Sequence, residues 1–241
     1  MSVLAIRSLR KSFLFGSASS ARSIEALTGV DLDVEDGEVV GIVGGQGSGK
    51  TTFLLCAAGL LRRDAGSIRW YGERFDGGGC LPCLSFLPAV PTYYPFLTVR
   101  DVFDHYGPRE QDTYARRSRL IPTVTARLGL TDHLASTVGS LDVEILKRVA
   151  IAQALVDESR VILLDGSLDS LGSGAPLVHR VIRESTSTII ATSRHAGVLA
   201  PVATRIVVMD AGRLTGSFSA MQPDSAFAPL PLIRQIAERM H

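Results

Sequence analysis

No stretch of this sequence is apolar for long enough to cross a bilayer as a helix. The longest uncharged apolar run, residues 52–61, falls well short of the roughly 20 residues that a span needs. Residues 1–7 lack the extended apolar core of a secretion signal, so a cytosolic chain is expected. Cysteine is scarce: the three present exclude a disulfide framework. Cys80 and Cys83 have the spacing of a metal or redox pair, but no second pair or histidine cluster accompanies them, so they read as incidental thiols. An excess of either charge is missing too. Lys plus Arg number 25 against 24 Asp plus Glu, a net charge of +1, which gives no broad field for nucleic acid or acidic lipid. The short basic clusters at Arg62-Arg63 and at Arg116, Arg117 and Arg119 read as solvated faces, and no nucleic-acid partner is expected.

What is present is ample apolar material in an alternating arrangement. With 241 residues, 46% of them hydrophobic, the chain can build one sizeable core. Residues 2–7, 39–43 and 66–71 read as strands, and 51–61 reads as a buried helix. The polar stretch 16–23 reads as a hairpin loop. Residues 98–106, 113–128 and 142–156 carry helical periodicity with few strand signals between them, which predicts an all-helical insertion. Strands then return at 161–164, 187–192 and 205–209, and a closing helix is expected over 231–240. Such alternation predicts an α/β fold with a mainly parallel sheet covered by helices.

The strongest chemical signal is Gly44-Gly45-Gln46-Gly47-Ser48-Gly49-Lys50-Thr51-Thr52. It has the glycine, lysine and threonine spacing of a phosphate-binding loop, after an apolar strand and at the start of a helix. Glycines allow successive backbone N–H groups to turn towards phosphate oxygens, and the helix N-terminus adds its positive dipole end. Lys50 is expected to reach the β and γ phosphates, and the Thr51 hydroxyl to ligate Mg²⁺. Asp165, at the end of the apolar run 161–165, suits the carboxylate that orients the same ion.

These motifs, with a helical insertion between them, resemble the ATP-binding cassette (ABC) family. Residues 27–37, 65–72 and 205–214 look like that family's antiparallel lead-in, following strand and last strands. Residues 146–155 follow its signature helix. The resemblance implies a phosphate-loop NTPase cassette over 1–241, with a helical signature subdomain at about 92–158. It implies ATP and Mg²⁺ as ligands, with Phe13 stacking on adenine. Phe15 is a rival for that role, and either could be core.

The departures from the family fall on chemistry. Where the family has Leu-Ser-Gly-Gly-Gln, this chain has Leu141, Asp142, Val143, Glu144 and Ile145. Asp142 and Glu144 are expected to bring negative charge towards a partner's ATP, and Val143 to crowd the approach. Gly166 stands where the family has its water-polarising carboxylate, a loss of about 10²–10⁴ in rate. Ala89 aligns with the magnesium-contacting glutamine, and Ser193 with the switch histidine. A two-residue slip would restore the latter as His195. Asp169 to Gly172 depart from a loop that ends in Asp in the family.

The resemblance therefore implies a degenerate ATP-binding subunit of a transporter, with little or no hydrolysis. It would work with a non-identical second cassette and transmembrane subunits at the cytoplasmic face of the membrane. Tyr93, Tyr94 and Phe96 lie where membrane subunits dock, or else belong to the subdomain core. Arg100-Asp101 and residues 127–130 lean towards exporter-type cassettes. The alternative is a regulatory or scaffolding protein that uses ATP as a structural ligand; a small-molecule kinase would leave the signature-like helix unexplained.

Overall fold

The computed structural model describes residues 2–16, 22–77, 83–106 and 111–219. Most of the predicted 16–23 loop, Cys80 and the expected helix over 231–240 lie outside them. The elements run β1 (Ser2–Phe15), β2 (Arg22–Glu35), β3 (Val39–Val43), α1 (Lys50–Ala57), β4 (Ala65–Trp70), β5 (Glu73–Arg74) and β6 (Leu84–Leu87). There follow α2 (Val99–His105), α3 (Gln111–Arg127), α4 (Val143–Val156), β7 (Val161–Asp165) and α5 (Ala175–Glu184). The last described elements are β8 (Thr188–Ser193), α6 (Ala196–Leu199), β9 (Arg205–Asp210) and β10 (Arg213–Ser219).

Two sheets result. One is antiparallel, in the order β2-β1-β4-β5; the other runs β10-β9-β3-β8-β7-β6. In the second, β9, β3, β8, β7 and β6 are parallel, and only the edge strand β10 is antiparallel. Every residue of β3 is buried, as its unbroken apolar sequence requires of a strand covered on both faces. Side chains alternate between the faces. Val40, Ile42, Leu163, Ile190 and Val207 join α1 and the antiparallel sheet in one core. Val39, Val43, Leu164, Ile189 and Val208 join the helices in the other.

α1 is therefore wedged between two sheets. Trp70 Nε1 donates to the Ala57 carbonyl at 2.9 Å inside that core. The helix stops at Ala57 rather than running to 61. Gly59 takes φ +72°, and a Cβ there would stand 2.4 Å from Phe75 Cζ. A left-handed glycine ends the helix and lets Phe75 close over it. β1 also differs from expectation. It continues past Arg7 to Phe15 along β2, with register shifts that absorb its irregular alternation.

Two helices of the insertion, α2 and α4, are individually capped. The Thr98 hydroxyl accepts from Asp101 N at 3.1 Å while Thr98 N donates to Asp101 Oδ2 at 2.8 Å, a reciprocal cap that starts α2. Asp142 caps α4 by accepting from Ile145 N at 3.0 Å.

Arg117 corrects the expectation of a solvated basic face. It is 3% exposed. It donates to the Tyr106 carbonyl at 2.7 Å and to that of Phe103, and it lies 2.9 Å from Asp157 Oδ1. That ion pair joins α3 to the residue capping the end of α4, but the Arg117 Nε–H is not aligned on the carboxylate. Burial pushes the Asp157 carboxyl up to about 6, against the opposing pull of Arg117 and of a hydrogen bond from Gln153. The folded state thus holds this proton to a higher pH than the unfolded chain does. Stability is expected to fall as pH rises from about 4 to about 6, by on the order of 1–3 kcal/mol. Urea unfolding of wild type and Asp157→Asn at pH 4.5 and 7.5 checks this, and the difference should shrink in the variant.

Candidate functional site

The glycine-rich loop leaves β3 at Val43 and enters α1 at Lys50. Two of its glycines are held by close backbone approach. A Cβ on Gly44 would lie 2.2 Å from the Met209 carbonyl oxygen. Gly49 has φ +105°, with Ala26 O 2.5 Å from its Cβ position. Gly45 and Gly47 face open space, and Gln46 beside them is exposed. The loop is thus pinned at both ends and bare at its crest. Ser48 is buried, and Thr52 is half-buried in the first turn of α1.

Lys50 folds over this loop. Its Nζ donates to Gly44 O at 2.7 Å, Gly45 O at 2.6 Å and Ser48 Oγ at 2.9 Å. Burial draws its pKa down and Arg194 adds to that, while Asp165 and Asp169 oppose them. The second cluster lies at the ends of β7 and β8, which run side by side with Asp165 opposite Thr192. Thr51 Oγ1 donates to Asp165 Oδ1 at 3.1 Å, and Thr192 Oγ1 to the same oxygen at 2.8 Å. The hydroxyl and carboxylate expected to share a metal ion are thus already in contact.

The positions where the sequence departs from its resemblance also converge. A Cβ on Gly166 would lie 3.4 Å from the Ala89 Cβ and 3.7 Å from Asp169 Oδ2. Ser193 Oγ donates to Asp169 Oδ1 at 2.5 Å and accepts from His195 N at 2.9 Å. The Ser193 hydroxyl therefore meets the Asp169 loop. The contacts of Thr192 and Asp169 were not anticipated from the sequence. A threonine ending a strand next to that of Asp165 was the available signal.

At the start of α4 the charges differ from expectation. Asp142 is engaged as the helix cap. The Glu144 carboxylate turns inward: its Oε1 accepts from Gly174 N at 2.8 Å and lies 3.9 Å from Arg148 Nη2. One turn on, Lys147 Nζ donates to the Asp169 carbonyl. Val143, 45% exposed, is left facing outward. Phe13 pairs with Ile24 across the β1–β2 ribbon, two residues from Ala26, whose carbonyl faces Gly49. Phe15 lies beside Phe13, with ring centroids 6.4 Å apart, so both candidate aromatics reach the same end of the ribbon.

The model of the family described as "ABC transporter" matches residues 27–168. The chain belongs to the ABC transporter family. Among its relatives, the aliphatic sulfonates import ATP-binding protein SsuB of Rhodopseudomonas palustris is 32% identical over 217 residues, covering 88% of this chain and 72% of that protein. The methionine import ATP-binding protein MetN of Rhizobium etli is 30% identical, covering 78% of this chain and 55% of its own length. The chain spans only 48% of the uncharacterised relative YdbJ of Bacillus subtilis, at 28% identity. Across several curated relatives it matches, it therefore covers about half their length. The fold of this ABC family member is also that of the cassette MJ0796 in its post-hydrolysis dimer with ADP and phosphate, at a TM-score of 0.74 and 20% identity. That likeness covers 91% of this chain and 99% of the other. Among the described residues, no helix of this ABC chain is long and apolar enough to cross a membrane.

Proposed function

We propose that this chain is a Mg-ATP-binding subunit of an ABC transporter whose own hydrolysis is very slow or absent. It would act beside a non-identical cassette and membrane subunits. The observation that carries the reading is an intact phosphate grip beside a vacated base position. The bare crest over 45–47 has room for phosphate oxygens against its backbone, and Lys50 needs only to exchange loop carbonyls for them. Thr51 and Asp165 supply the hard oxygen donors that a magnesium ion takes. When bound, that ion would neutralise charge on the β and γ phosphates. Thr192 donates to the same Asp165 oxygen as Thr51 does. Gly166 offers no carboxylate.

The α4 terminus supports a non-identical partner. Its first turn is occupied by the Asp142 cap, and Val143 covers the approach, so the helix has little left to offer a second copy's γ-phosphate. Tyr94 and Phe96, 63% and 73% exposed, stack with centroids 5.6 Å apart and form an aromatic patch suited to a membrane subunit. Residues of about 92–158 form the helical unit that would carry this contact. Import is the direction we favour, because MetN and SsuB are named as import proteins. The residues that leaned towards export have local duties: Asp101 closes a helix cap, and Arg127 pairs with Glu184.

Calorimetry with Mg-ATP tests the reading. Tight binding is expected that weakens about 10-fold or more in EDTA. Asp165→Asn should lose most of that metal dependence. On the same sample with Mg-ATP, sedimentation should show no homodimer. A stable homodimer with ordinary family turnover would sink the proposal.

A further inference from the structure

We infer that Asp169 supplies the carboxylate missing at position 166, so that whatever ATP turnover this chain retains passes through Asp169. The inference rests on the Mg-ATP reading above. The space that a side chain on Gly166 would enter is lined by the Ala89 methyl, 3.4 Å from the Cβ position, and by Asp169 Oδ2, 3.7 Å from it. The carboxylate has thus moved along the chain while still facing the vacated space.

The placement is held from several directions. Ser193 Oγ donates to Asp169 Oδ1 at 2.5 Å, which leaves Oδ2 without a hydrogen-bond donor among the described residues. Asp169 N donates to Gly166 O at 3.1 Å, and Gly166 N to Thr192 O at 3.2 Å. Lys147 fixes the Asp169 carbonyl from α4. The Asp169 charge acts on Lys50 together with that of Asp165, so it lies within electrostatic range of the ammonium that would hold the γ-phosphate. Arg194 is the other charge facing that group. A carboxylate fixed by one oxygen, with the other free and aimed into the site, has the form of a general base.

The step balances without a further reactant. The oxygen of a water molecule bonds to the γ-phosphorus while the bond from phosphorus to the β–γ bridging oxygen breaks. The electron pair leaves on ADP, and the water proton passes to Asp169 Oδ2 and then to solvent. Ser193 acts through Asp169 and is a positioning residue.

The test uses the purified chain with Mg-ATP and Mg-ADP, following phosphate release and affinity by calorimetry, with Lys50→Ala as background. Wild type is expected to turn over slowly but above that background. Asp169→Asn should lower kcat by about 10–100-fold with KM within about threefold. It should also raise the ratio of ATP to ADP affinity by roughly 3–10-fold, because a negative charge beside the γ-phosphate is removed. Asp169→Glu should retain part of the turnover, and Ser193→Ala should lower kcat less than Asp169→Asn does. Turnover unchanged in Asp169→Asn, or an affinity change equal for both nucleotides, would overturn the assignment. Mg-ATP binding without any turnover above background would also overturn it, while leaving the binding-subunit reading intact. Failure of the wild type to bind Mg-ATP would overturn both.

Discussion

Lys50→Ala is expected to weaken Mg-ATP binding at least about 100-fold, close to 3 kcal/mol. The ammonium is the one cation of the glycine-rich loop. It already sits on Gly44 O, Gly45 O and Ser48 Oγ, so it requires little reorganisation to take phosphate oxygens instead. Charge-assisted hydrogen bonds in a partly desolvated site are the strong ones, and alanine removes all of them at once. The variant must stay folded for the result to count. Loss of three loop contacts should cost no more than about 1–2 kcal/mol in urea unfolding, because Gly44 and Gly49 remain pinned by Met209 and Ala26. Isothermal calorimetry on variant and wild type, with unfolding on the same preparations, separates the two effects. Retention of binding within tenfold would mean that the nucleotide is held elsewhere.

Arg117→Met should lower stability by about 3–5 kcal/mol near pH 8, a large share of the 5–15 kcal/mol typical of a folded domain. The loss comes from three sources: the ion pair with Asp157 and the two hydrogen bonds that hold the Phe103 and Tyr106 carbonyls at the end of α2. It should also depend on pH. Without the guanidinium, burial is opposed only by the Gln153 hydrogen bond, so the Asp157 carboxyl is driven further up and stays protonated over a wider range. A neutral acid needs no cation. The destabilisation should therefore be smaller at pH 5 than at pH 8, and urea midpoints at the two pH values measure the difference. Equal losses at both would mean that lost packing of the arginine stem, rather than its charge, sets the effect.

Much of the architecture could be read from the amino-acid order. The parallel strands announced themselves as short unbroken apolar runs, because both their faces are covered. The phosphate loop was legible because backbone approach at Gly44 and Gly49 restricts those positions so narrowly. Arg117 was misread for a local reason: three neighbouring arginines look solvated unless the helical period is followed. Arg117, Ile121, Val124 and Leu128 lie on one face of α3 and just beyond it, and all four are buried. Glu144 was misread likewise, since its partner Arg148 stands one turn along α4. The Asp169 arrangement was out of reach. It depends on β8 lying beside β7, a non-local pairing that places Ser193 against a loop 24 residues earlier.

The position of β3 also sets an order of events in time. Hydrogen-bonded to β8 on one side and β9 on the other, with a core against each face, it cannot open without dismantling both. Its amides are the ones to exchange last with solvent, through global unfolding alone. The nucleotide grip is grafted directly onto its end. On heating, the outlying helices can loosen while the phosphate loop persists, so the ability to hold nucleotide is among the last properties that the warming chain gives up.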